Sequence, residues 1–198
     1  GWLDYKGGFI LHPLIKKAIH FQGTAPQGTL QFLIDAVETN TLFSKDDSYV
    51  EINRKLSILE YAVGELEEEA LSGTFFFNLG MMEYTYARKR LASIDYLNTA
   101  LKKFELESPD DLSRMANLKY QRGYIKSTTQ KYRSAAKEDL YEALKIWDAK
   151  PEWEYEADMA KDHLGYVLSD QPEHYEEAES YLRAACSSRE RRFNRDPS

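Results

Sequence analysis

Between residues 75 and 190 apolar side chains recur every three or four positions, the spacing that lines one face of an α-helix, and short polar stretches interrupt them. Three segments, 75–104, 118–147 and 160–190, can be laid over one another. Gly80, Gly123 and Gly165 lie 43 and 42 residues apart, and 20 residues after each comes an alanine: Ala100, Ala143 and Ala185. Three positions before the alanines stand Leu97, Leu140 and Leu182, and four before those stand Ser93, Ala136 and Ala178. Offsets kept in three copies mark an internal repeat. Each copy reads as two antiparallel helices joined by a short loop, with the small residues where the helices come closest and the leucines filling the groove between.

End signals fit this register. Ser108-Pro109-Asp110-Asp111 supplies an N-cap serine, a proline in the first turn and an acid three residues after the cap. Pro151-Glu152 and Pro172-Glu173 repeat the proline-then-acid signature. Helices are therefore predicted over 68–88, 91–105, 110–127, 132–147, 152–169 and 173–191. Residues 29–43 and 49–66 also have helical spacing, as in Ile52, Leu56, Leu59 and Val63, but lack the marks. Residues 23–67 read as a degenerate capping pair ahead of three repeats over 68–198. At the front, Gly1-Trp2-Leu3-Asp4-Tyr5, a Lys6-Gly7-Gly8 turn and Phe9-Ile10-Leu11-His12 predict a β-hairpin, and Pro13 opens a short helix to about Phe21. The expected fold is all-α with that hairpin attached.

Leu79-Gly80 and Leu164-Gly165, with Ala100-Leu101 and Ala143-Leu144 later in each unit, resemble tetratricopeptide repeats. The longer period is similar to the variant of about 42 residues found in the kinesin light chain and beside signalling ATPases. Arg122 before its glycine and Cys186 in place of the final leucine depart from the pattern. The resemblance covers about residues 68–191 and implies a right-handed superhelix of helix pairs, an α-solenoid. Its first helices would line an inner groove with Phe77, Met81 and Tyr84, then Asn117, Tyr120 and Tyr124, then Met159, Asp162 and Tyr166. Any one of these rings can equally pack between neighbouring helices, but as a set they are assigned to the groove. The lysine and asparagine clamp of chaperone-tail receptors is missing, since Phe77 and Met81 hold the comparable places.

Residues 1–22 resemble the tail of the winged-helix domain of NB-ARC or STAND signalling ATPases. By that resemblance His12 is the nucleotide sensor, although Leu11 and Pro13 stand where many members have methionine and aspartate. No Gly-x-x-x-x-Gly-Lys-Ser/Thr loop occurs in the sequence, so phosphate cradling has no place here.

Composition narrows the function. Of 198 residues 30% are charged and 42% apolar, a balance that folds. A net charge of −7 repels phosphate backbones and disfavours a nucleic-acid partner. No stretch is apolar for long enough to span a membrane. The single cysteine, Cys186, cannot form an intrachain disulfide, which suits a reducing cytoplasm, and is expected to pack as a small residue in the last helix. The chain starts at Gly1 without a signal-like segment and ends in a basic run without a cap for the stack, as expected of a piece of a longer protein. His12, His20, His163 and His174 show no ligand-like pairing, so no metal or other cofactor is expected. Glu65, Glu67, Glu68, Glu69 and Asp110-Asp111 complement helix dipoles, and Arg88-Lys89-Arg90 belongs to a helix-end turn. The reading is a non-catalytic interaction module that binds a protein or peptide, the sensor or scaffold part of a signalling protein. The alternative is a purely structural array that packs against its own chain or self-associates.

Overall fold

The computed structural model describes residues 3–5, 9–11, 27–39, 41–43, 46–64, 68 and 71–195. His12, His20 and the short helix expected from Pro13 to Phe21 lie outside the described residues. The chain divides into two units, Gly1–Lys89 and Arg90–Ser198, and the division falls inside the first predicted repeat. All but two short described elements are helical.

In the first unit β1 (Leu3–Tyr5) and β2 (Phe9–Leu11) pair antiparallel, with Asp4 opposite Ile10. Among the described residues three α-helices follow: α1 (Gln27–Glu38), α2 (Tyr49–Gly64) and α3 (Gly73–Met82). Ser48 and Glu51 form a capping box at the start of α2. The Glu51 amide donates to the Ser48 hydroxyl at 3.3 Å, and the Ser48 amide donates to the Glu51 carboxylate at 2.7 Å. Hydrogen bonding to Ser48, through its side chain first and its amide second, holds the Glu51 carboxyl below its usual range. Ser72 caps α3 by accepting from the Phe75 amide at 3.1 Å and donates its own proton to Glu38. Asn78 donates to the carbonyls of Val37 and Glu38, both at 2.9 Å, satisfying the orphan acceptors at the end of α1. These bonds fix α1 against α3 over a core of Leu33, Val37, Leu56, Leu59, Phe75, Phe76, Leu79 and Met82.

The helix predicted over 68–88 is not continuous. α3 stops at Met82 and a π-helical turn, Glu83–Ala87, carries the chain to Arg88, whose φ of 55° is left-handed. A π-turn holds an extra residue per turn, so beyond it the three- and four-residue spacing of the α-helix no longer applies. The turn instead stacks Tyr86 on Phe43, ring centres 4.5 Å apart.

The second unit holds α4 (Arg90–Glu107), α5 (Leu112–Ser127), α6 (Arg133–Trp147), α7 (Glu154–Leu168) and α8 (Tyr175–Arg195). Asp111, not Ser108, is the N-cap of α5. Its carboxylate accepts from the Arg114 amide at 3.0 Å, while Ser108 still donates its amide back to Phe104. Aspartate three residues nearer the helix reaches the open amide that the serine cannot. Pro151 and Pro172 open 3-10 turns that lead into α7 and α8, as their fixed φ favours.

Side-chain pairs give the directions. Lys126 meets Asp139 while the earlier Tyr120 meets the later Trp147, so α5 and α6 are antiparallel. Arg133 pairs with Asp170 and Asp148 with Lys161, so α7 returns along α6. Gly165 lies against Ala178 and Leu182 while Glu154 meets Ser188, so α8 returns along α7. Alternate helices are neighbours as well. Tyr120 and Tyr124 of α5 touch His163 of α7, and Tyr141 of α6 touches Glu177 and Tyr181 of α8. α5 and α7 thus form one layer and α6 and α8 another. Between them lie Ala116, Ala136, Leu140, Ala143, Leu144, Trp147, Ala157, Ala160, Leu164 and Val167.

The small residues sit at the closest approaches. Ala100, Ala143 and Ala185 are wholly buried, as are Ser93 and Ala136, with Ala178 nearly so. Cys186 departs from expectation: it is exposed, because its side chain leaves α8 on the side that no described helix covers.

Candidate functional site

The predicted groove residues fall into two sets. Phe77, Met81 and Tyr84 belong to the first unit, where each is half-buried. Asn117, Tyr120, Tyr124, Met159, Asp162 and Tyr166 belong to the second and gather where α5 runs beside α7.

Tyr120 is the centre of this second set, and it is not free for contact. Its ring is buried against Trp147 at 5.3 Å between centres and against His163 at 5.5 Å. Burial, followed by the fields of Tyr124 and Asp162, pushes its phenol up to about 12, so the group stays neutral at ordinary pH. Tyr124 also meets the His163 ring, at 4.9 Å and edge to face. The His163 Nδ1 lies 3.0 Å from the Met159 carbonyl and 3.2 Å from the Tyr120 hydroxyl. A carbonyl can only accept, so the Met159 bond forms when the ring proton sits on Nδ1, and the Tyr120 bond can run to Nδ1 when it does not.

Around this floor stand the exposed groups. Asn117 is open on α5. On α7 the positions 155, 159, 162 and 166 follow helical spacing along one face, with Tyr155 59% and Tyr166 54% exposed. Arginines steady both rings. Arg133 lies 5.7 Å above Tyr166 and pairs with Asp170, and Arg192 lies 5.6 Å above Tyr155 and pairs with Asp158. Asp162 accepts from Arg189 at 3.0 Å, a bond that raises the arginine's affinity for its proton.

Two members of the site were missed in the sequence. Tyr155 obeys the same spacing rule as Met159, Asp162 and Tyr166, and extending the count by one turn finds it. His163, expected to be a surface or core histidine without ligand pairing, lies against the rings of two tyrosines, Tyr120 and Tyr124. No group of three or more potential metal ligands occurs among the described residues.

The basic end of the chain is occupied too. Arg189, Arg191 and Arg192 of α8 face Asp162, Glu154 and Asp158 of α7 in turn. Near these pairs a polar cleft of about 700 Å³ opens beside Trp147, Glu154, Asp158 and Ser188. Ser188 donates to Glu154 at 2.9 Å and accepts from Arg192 at 3.0 Å, so its buried hydroxyl is satisfied. No described helix is long and apolar enough to cross a membrane. No protein-family model matches the chain, and no curated protein matches it in sequence.

Proposed function

We propose that this chain is a non-catalytic protein-interaction module, a tetratricopeptide-like superhelix of helix pairs that holds a protein or peptide segment along its α5–α7 face. The observation that carries the reading is the pair of exposed tyrosines, Tyr155 and Tyr166, aligned with Met159 and Asp162 on one face of α7. Tyrosines held by arginines lose little side-chain freedom on binding, so they make effective anchors. Tyr120, His163 and Trp147 stiffen the wall behind them. On this reading the chain is the sensor or scaffold part of a cytoplasmic signalling protein, and His12 belongs to the winged-helix tail of an attached ATPase.

Capture from an extract of the producing cells, with mass spectrometry, tests the site. A protein retained by the wild type should be lost about tenfold or more by Tyr155→Ala with Tyr166→Ala, at unchanged helicity. Equal retention by both chains removes this face from the reading.

A structural array is the second reading. Leu106, 82% exposed on α4, and Phe193, 68% exposed on α8, are apolar groups that self-association would cover. Sedimentation of wild type against Phe193→Ser separates the two.

A further inference from the structure

Glu83 opens the π-turn and is completely enclosed, yet neither of its carboxyl oxygens has a hydrogen-bond partner. An ionised carboxylate in such a place loses its water, a loss that outweighs the field of Lys89, whereas a neutral carboxyl is far cheaper to bury. The turn is wound on the same residue. The backbone amides of Arg88 and Lys89 both reach the Glu83 carbonyl, the second at 3.1 Å, and Arg88 is held left-handed to make this possible. Outside the turn, the Lys89 ammonium pairs with Glu60 of α2. These are the charges that act on Glu83: Glu60 from α2 and Lys89 at the close of the turn. α3 brings no titratable side chain, and the turn itself adds only the phenols of Tyr84 and Tyr86.

We propose that Glu83 works as a proton-operated latch, in which the neutral carboxyl keeps the 83–87 turn seated on α2 and its ionisation releases the turn. Once charged, Glu83 has two ways to be satisfied. It leaves the interior for water, or it draws Lys89 away from Glu60. Either movement unwinds the turn and separates Tyr86 from Phe43. Burial first, and the Glu60 charge second, push the carboxyl up to about 6, so the latch closes on the acid side and opens as pH rises through that value.

The test uses the full chain. Hydrogen exchange of peptides covering 76–89 is followed from pH 4.5 to 8 and corrected for the intrinsic pH dependence of exchange. Protection in the wild type should fall about tenfold or more on passing pH 6, while Glu83→Gln, which cannot ionise, should keep its protection level. Flat protection in the wild type, or a Glu83→Gln curve that follows the wild type, overturns the latch. If the variant does not fold, the carboxyl resonance of Glu83 in the wild type decides. A midpoint near 6 supports the proposal, and one at 4.5 or below overturns it.

Discussion

Gly165 and Leu182 lie so close that a Cβ on the glycine would stand 2.5 Å from the leucine Cγ. One repeat earlier, a Cβ on Gly123 would stand 2.9 Å from the Leu140 Cγ. Behind each leucine the Cβ would also meet a backbone carbonyl at 3.1 Å, that of Ala178 or Ala136. The same three positions, 42 residues apart, produce the same contact. The spacing in the sequence is therefore a spacing of helix approaches.

Gly165→Ala and Gly123→Ala should both destabilise the fold. Overpacking costs about 1–3 kcal/mol, and alanine's better helix propensity returns at most about 1. A net loss of about 1–2 kcal/mol by urea denaturation is expected. Gly64→Ala is the control, because nothing lies within 4 Å of a Cβ there and the residue closes α2. It should be neutral or slightly stabilising.

The arginine pairs of α8 differ in worth. Asp158 is almost fully enclosed, so Arg192→Ala leaves a buried carboxylate with its charge uncompensated, at a cost of about 3–5 kcal/mol. Arg183 and Glu179 are both largely exposed, and Arg183→Ala should change stability by less than about 0.5 kcal/mol. Chemical denaturation of the two variants side by side measures the difference. Similar losses would mean that Asp158 finds water or another donor once the arginine is gone.

How much of this was legible beforehand depends on the range of the forces involved. Helix periodicity and small-residue contacts recur along the sequence, so the bodies of α4 to α8 and the marks at Gly123 and Gly165 could be read from it. The choice of Asp111 over Ser108 as cap turns on which side chain reaches the Arg114 amide. The π-turn at Glu83 has no composition of its own that a sequence pattern could reveal. Tyr120 and Tyr124 are the same residue type one turn apart. One is buried because Trp147 and His163 come to it from distant positions, which periodicity does not reveal.

Tyr120 gives a test at alkaline pH. Its phenol holds the proton to about 12 in the folded chain against 10 when unfolded. Between those values the unfolded chain releases a proton that the folded chain keeps, so raising the pH through this window favours unfolding. The Tyr120 contribution to the loss is about 2–3 kcal/mol and is complete only above the folded value. Tyr120→Phe keeps the ring against Trp147 and gives up one long bond to His163, so at neutral pH it should cost at most about 1 kcal/mol. Its stability should fall less steeply than wild type from pH 10 to 12. Parallel curves would show that the phenol is not titrating inside the fold.

The α7–α8 pair differs from the α5–α6 pair at three matched positions. Tyr120, Leu144 and Trp147 are buried, while Asp162, Cys186 and Arg189, 42 residues later, are part-exposed or exposed. Where one repeat has a tyrosine on a tryptophan, the next has a carboxylate on a guanidinium. The ion pair keeps the face compatible with water, which a tyrosine on a tryptophan would not. Asp162→Tyr with Arg189→Trp should reverse this by rebuilding the apolar surface that α7 covers one repeat earlier, with nothing on α8 to cover it. Sedimentation should then show a mass that rises with concentration above that of the wild type, because a large exposed apolar patch seeks a partner surface. Single substitutions should act weakly, since each leaves an unmatched charge on the patch. A double variant that sediments as the wild type does would mean that the two faces differ in backbone shape as well as in side chains, and the repeat would then extend to the helix contacts but not to the surface they leave.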